Sequence, residues 1–221
     1  MELFYFDIET AGNYPDYTKF YLEDERGSEL FREKYEKLNW SEKYQNVDEA
    51  YIDQGGIVST YGRICCISFG YFDNDGNKRI SSFYGEDEKD IINSFNNLLI
   101  KIEKKKFKLS GYRILHFDIP WILHKLHKYK IKPADIILLY DKKPWENRIV
   151  DISDDWKLKF AYQFSFDEAC YELGVKSPKE KMNGSHVHKK FWDRNYVEIK
   201  DYCEMDVSSL MDVSNSIYNT I

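Results

Sequence analysis

The sequence predicts an α/β fold, a five-stranded mixed sheet flanked by helices, and three observations predict it. The run Leu3-Phe4-Tyr5-Phe6-Asp7-Ile8-Glu9-Thr10 has the apolar, aromatic composition of a strand that starts a core. Two more strand-like runs, residues 63–72 and Lys78 to Tyr84, flank Asp73-Asn74-Asp75-Gly76-Asn77, a turn whose residues tolerate positive φ, so they form an antiparallel hairpin. Beyond residue 86 helical and strand patterns alternate, which extends the meander into a mixed sheet and lays helices on it.

The acids Glu86, Asp87 and Glu88 suit a helix N-terminus, and Ile91, Ile92, Phe95, Leu98, Leu99 and Ile102 follow at helical spacing, so a helix is expected over 87–105. Phe107 to Leu115 supplies a fourth, central strand. Pro120 fits the first turn of a helix running to about Lys130, where its missing N–H costs nothing. Arg148 to Ile152 reads as a short fifth strand. Ser165-Phe166-Asp167-Glu168 carries a capping pattern for a helix that Gly174 ends. The segment Lys176 to His188, with Pro178, Asn183, Gly184 and Ser185, reads as a basic connection whose amides can meet a phosphate. A last helix over 196–219 has the apolar stripe Ile199, Cys203, Val207, Leu210, Val213 and Ile217.

At 221 residues the chain suits one domain, 1–221, with an insertion at about 11–60, and leaves no room for a separate polymerase or helicase domain. Within that insertion, Glu29 to Leu38 reads as an amphipathic helix with Leu30, Phe31, Lys34 and Leu38 near one face. Tyr14, Tyr17, Phe20 and Tyr21 either stack bases or anchor the segment to the core. Hydrophobic residues make up 43% of the chain, enough for a core and too many for a disordered protein. Glu2 and Asp7 break the first apolar run, which argues against a signal peptide. No apolar stretch is long enough to span a bilayer, so a cytoplasmic location (host cytoplasm for a viral protein) is expected. The four cysteines lack paired C-x-x-C spacing and read as buried thiols, with adjacent Cys65 and Cys66 on opposite faces of a strand.

Side chains alternate along a strand, so Asp7 and Glu9 point the same way, about 7 Å apart. Two like charges on a largely buried face repel and are costly to desolvate. A divalent cation such as Mg²⁺ or Mn²⁺ relieves both costs, and it also neutralises acids that look wrong for a nucleic-acid enzyme in a chain of net charge -6. Asp118 stands where a strand gives way to a helix, the usual place for ligands in open α/β sheets; its local alternative is a helix N-cap. Tyr202 and Asp206, at i and i+4, border the apolar stripe of the last helix, where an acid is unexpected without a partner.

Together Phe6-Asp7-Ile8-Glu9-Thr10, Phe117-Asp118 within Gly111 to Pro120, and Tyr202-Cys203-Glu204-Met205-Asp206-Val207 resemble the three motifs of the DEDD superfamily of 3′-5′ exonucleases, which has a ribonuclease-H-like fold. The resemblance is to the tyrosine-bearing branch, close to the proofreading exonuclease of family-B DNA polymerases, and covers nearly all of the chain outside 11–60. One position departs: the residue four before the motif's Phe is usually Asn and here is Arg113. His188 and Asp193 have the H-x4-D spacing of the histidine-bearing branch, but Tyr-Cys-Glu-Met-Asp-Val matches the tyrosine branch better.

The resemblance implies that Asp7, Glu9, Asp118 and Asp206 bind two divalent cations, Mg²⁺ or Mn²⁺, around a scissile phosphate, with Tyr202 orienting the attacking water. Thr10, Arg113, Phe117 and Ser185 are the candidate substrate contacts. The activity expected is stand-alone release of nucleoside 5′-monophosphates from single-stranded DNA or a frayed 3′ end, in replication, proofreading or repair. A separate DNA polymerase is the partner it allows, and no membrane is involved. RNA as substrate, a non-catalytic nucleic-acid-binding or polymerase-accessory module, and a metal-dependent phosphatase or nucleotide-processing enzyme are the alternatives.

Overall fold

The computed structural model describes residues 2–105, 107–139, 148–178 and 186–218. Five strands, β1 (Leu3–Gly12), β2 (Gly62–Phe72), β3 (Lys78–Tyr84), β4 (Lys108–Gly111) and β5 (Ile149–Asp151), form one sheet in the order β3-β2-β1-β4-β5. The pairs β1–β2 and β2–β3 are antiparallel, while β1–β4 and β4–β5 are parallel. This is the mixed sheet the sequence predicts, and β1 lies at its centre.

Alternation along β1 divides the core. Phe4, Phe6 and Ile8 face α4 (Glu88–Glu103) and α5 (Asp118–Lys128), where Ile92, Phe95, Leu99 and Ile122 are fully buried. Leu3 and Tyr5 face α9 (Tyr196–Tyr218) and pack on Val207, Leu210 and Met211. The Tyr5 hydroxyl and Ser214 Oγ, 2.8 Å apart, fix α9 along the strand. Asp7 and Glu9 continue that second face, so α9 brings its own polar residues down onto them.

The segment between β1 and β2 is more ordered than one helix. It holds α1 (Tyr17–Glu23), α2 (Glu25–Lys37) and α3 (Val47–Gln54). The expected face of the middle helix is corrected: Phe31 is fully buried, but Leu30 and Leu38 are exposed. A separate aromatic cluster explains the difference, since Phe31 turns toward Tyr17, Phe20, Tyr51 and Tyr61 rather than the sheet. Tyr17 and Phe20 therefore anchor the segment, while Tyr21 stands in solvent.

Three other expectations are corrected. Strand β4 ends at Gly111, not near Leu115, because the Asp151 carboxylate takes the N–H groups of Arg113 (2.8 Å) and Leu115 (3.1 Å). A Cβ at Gly111 would lie 2.0 Å from the Ile114 side chain, so glycine lets this turn fold back. Cys65 and Cys66 share one buried cluster: the register passes from Glu9↔Cys66 to Thr10↔Ile64, a bulge that leaves Cys65 opposite no residue. The end of the basic segment begins a short helix, α8 (Val187–Trp192). Residues 179–185, including Ser185, lie outside the described residues. Between β5 and α9 also lie α6 (Ile152–Lys157), N-capped by Asp151, and α7 (Phe166–Leu173), whose capping box of Ser165 and Glu168 forms as the sequence predicts.

Candidate active site

Asp7, Glu9, Asp118, Tyr202 and Asp206 line one cleft of about 360 Å³, together with Arg113 and Phe117. Sheet alternation supplies the first two. Asp118 arrives from the other side of β1. Because β4 pairs with β1 only as far as Tyr5↔Ser110, the N–H of Ile8 has no strand partner there, and Asp118 Oδ1 accepts it at 3.1 Å. Asp118 is the first residue of α5 and not its N-cap; Phe117 holds the cap position without a side-chain bond.

Helix α9 supplies the remainder. Tyr202 is buried and its hydroxyl donates to the Asp206 carboxylate one turn on. Cys203, on the same face, has its Sγ 3.7 Å from Asp7 Oδ2 and 3.5 Å from the Asp7 carbonyl oxygen. Ligand atoms of Asp7, Glu9 and Cys203 all lie within 4.8 Å of one another, a cluster able to hold a metal ion. Motif reading did not select Cys203 for this place, since a lone thiol on an apolar stripe reads as core.

The charge is poorly balanced. Burial, then the carboxylates of Asp206, Asp118 and Glu9, push the Asp7 carboxyl well above the usual carboxylate range. Burial and Asp206 do the same to Glu9. Asp118 is raised to about 7, chiefly by burial, although the N–H groups of Asp118 and Ile8 oppose the shift. Burial, followed by the charges of Asp206, Glu9 and Asp7, raises Tyr202 far above an ordinary phenol, so its hydroxyl keeps its proton. Arg113 is the one permanent cation among the described residues that line the cleft.

Arg113 has φ +61°, a left-handed conformation that asparagine adopts with less strain than a long side chain. Asp151 holds it there. Its Oδ1 also accepts from Ser153 N and Oγ, so one carboxylate at the end of β5 fastens the turn leading to Asp118. The available signal for Asp151 was an acid at the C-terminal end of a strand, the same reasoning that selected Asp118. Tyr112, His116 and Phe166 also line the cleft and were not selected. Thr10 does not line it; its hydroxyl donates to the Gly56 carbonyl at 2.6 Å. His188 is buried elsewhere, accepting from Gly12 N at Nδ1 and reaching the Pro15 carbonyl with Nε2. It braces α8 against the end of β1, which leaves Tyr202, not His188, in the cleft.

A five-stranded mixed sheet with flanking helices in this order is a ribonuclease-H-like exonuclease fold. The family B DNA polymerase from the hyperthermophilic archaeon Pyrobaculum calidifontis shares this fold, with a TM-score of 0.63 and 14% identity over 99% of this chain. The chain spans about a quarter (24%) of that polymerase. Escherichia coli exonuclease I in complex with a 5cy-dA13 oligonucleotide is similar at a TM-score of 0.48 and 12% identity, over 99% of this chain and 40% of that one. No curated protein matches the sequence. The chain belongs to the family described as predicted 3′-5′ exonucleases related to the exonuclease domain of PolB, whose model matches residues 57–211. Among the described residues no helix is long and apolar enough to cross a membrane.

Proposed function

We propose that this chain is a divalent-metal-dependent 3′-5′ exonuclease of the tyrosine-bearing DEDD branch, acting on single-stranded DNA or a frayed 3′ end. The observation that carries the reading is the convergence of Asp7, Glu9, Asp118, Tyr202 and Asp206 on one cleft whose acids outnumber its cations. The donor set fits hard divalent ions: carboxylate oxygens predominate, and their raised pKa values mark charge that a cation would relieve.

Asp7, Glu9, Asp118 and Asp206 would hold two cations, Mg²⁺ or Mn²⁺. Bound there, the ions supply an activated water and stabilise charge on the phosphate and the leaving 3′ oxygen. Tyr202, kept protonated, orients that water by hydrogen bonding and does not act as the base. Asp206 fixes the phenol's direction, and Asp118 keeps α5 seated on β1 and would be one of the residues that hold the metal. Phe117 and Arg113, which line the cleft, contact the terminal nucleotide. A 3′ end must enter unpaired to reach acids this deep, which favours single strands in proofreading or repair beside a separate polymerase.

The test is a 5′-labelled single-stranded DNA and its RNA twin, incubated with Mg²⁺, Mn²⁺ or EDTA. A metal-dependent ladder shortening from the 3′ end of DNA is expected. A ladder on RNA alone would reassign the substrate, and none on either would leave a nucleic-acid-binding module.

A further inference from the structure

The face opposite in chemistry to the catalytic cleft lies between α6, α7 and the end of α9. Two adjoining hollows of about 930 and 780 Å³ share Asp155, Leu158, Phe160 and Ile217 and form one groove. Its apolar content is unusually open to water: Leu158 is 74% exposed, Phe160 61% and Tyr171 86%. Soluble monomers seldom leave a contiguous apolar patch of this kind without a use. The patch is ordered from within, because Trp156, Phe160 and Tyr162 each pack their rings on Phe164. Leu158 holds its side chain outward at φ +54°, a backbone conformation that costs a branched residue energy. At the groove's edge Trp156 Nε1 is buried with no acceptor among the described residues.

The rim selects the occupant. Among the described residues, Asp154, Asp155, Glu168 and Glu172 line the groove against one cation, Lys159. Asp154, Asp155 and Glu172 have no ion-pair partner among the described residues. Phosphates would be repelled by such a rim, so nucleic acid does not belong here. A second copy docked through the same face would set acids against acids. A segment with apolar side chains flanked by lysine or arginine meets both the floor and the rim.

We propose that this groove docks a basic, amphipathic segment of another protein. The site has a route to the catalytic cleft: the Tyr112 hydroxyl donates to the carbonyls of Phe164 (2.9 Å) and Ser165 (3.2 Å), and Tyr112 and Phe166 line that cleft. A partner seated in the groove would therefore stand beside the entering strand.

The probe is a fluorescein-labelled 14-residue peptide of leucine and lysine at amphipathic helical spacing, with a leucine and glutamate twin. Anisotropy is measured on the full chain at physiological ionic strength. The lysine peptide is expected to bind and the glutamate twin not. The double variant Leu158→Ser with Phe160→Ser, which keeps the charge, should weaken binding at least tenfold, and so should Asp154→Asn with Glu172→Gln. Asp154→Asn with Glu172→Gln changes exposed positions and should leave the melting temperature as in the parent, and both variants lie outside the catalytic cleft, so their cleavage of single-stranded DNA should match that of the parent. Undiminished binding by the serine variant would overturn the proposal, because the peptide would then be held by charge alone. Equal binding of the twin would also overturn it, as would concentration-dependent self-association in sedimentation velocity abolished by the serine variant, which would make the occupant a second copy. Loss of cleavage in every sample would count against the exonuclease reading and leave the peptide result standing.

Discussion

The Asp118 carboxylate accepts the backbone N–H of Ile8, the residue between Asp7 and Glu9, at 3.1 Å. One side chain thus joins the helix that follows β4 to the strand that carries Asp7 and Glu9, at the point where pairing with β4 stops. The contact is structural and forms without any metal.

Asp118→Asn separates the two roles, since an amide oxygen can still accept from Ile8. The variant should fold with wild-type cooperativity and lose cleavage on the order of 10³-fold, several kcal/mol of transition-state stabilisation. Asp118→Ala should lose cleavage equally and melt lower, because Ile8 N–H is left buried and unpaired. Thermal melts beside single-turnover rates check both outcomes.

The raised carboxyl pKa values set the sign of the metal-free pH dependence. Folded Asp118 titrates near 7 against an ordinary value near 4 when unfolded, and Asp7 and Glu9 shift the same way. The folded state binds more protons in that window, so this contribution is full below about pH 4 and is lost as pH rises through about 7. In EDTA the chain should lose stability between about pH 4 and about pH 7, and Asp118→Asn should flatten that loss. A steeper fall in the variant would contradict the assignment.

Tyr202→Phe removes the hydroxyl that Asp206 orients and leaves the ring's burial in place. Turnover should fall by up to about 10²-fold through misplacement of the attacking water. The dissociation constant for single-stranded DNA, measured with Ca²⁺ in place of Mg²⁺, should change by less than about threefold, within 1 kcal/mol.

Asp151 and Arg113 form a testable pair. Asp151→Ala strips acceptors from Arg113 N, Leu115 N and Ser153 and should cost about 2–4 kcal/mol in urea unfolding. Arg113→Asn suits the left-handed backbone at φ +61° and should stabilise by roughly 1 kcal/mol. If Arg113→Asn destabilised the chain, the arginine side chain rather than the backbone would govern this turn.

Much of this site is visible in the sequence because its residues obey local periodicities. Asp7 and Glu9 are two apart on a strand, and Tyr202 and Asp206 are four apart on a helix, so each pair's common direction follows without tertiary information. Asp151 acts on backbone groups 36 and 38 residues away, and no local pattern reports that. The bulge at Cys65 inverts an alternation that the residue types alone suggest. The helices α1 and α3 were hidden because their buried residues are chiefly tyrosine and phenylalanine facing one another, without an aliphatic stripe directed at the sheet.

The clustered carboxylates are proposed as a cation site for phosphodiester cleavage. This role is tested most directly by titrating Mn²⁺ into the metal-free chain with 5′-dTMP, reading free Mn²⁺ by electron paramagnetic resonance, beside single-turnover cleavage of single-stranded DNA at the same Mn²⁺ concentrations. Two Mn²⁺ per chain are expected, with cleavage that rises with their occupancy and loss of both in Asp7→Ala. Wild-type cleavage by Asp7→Ala, or full activity in EDTA, would contradict that role.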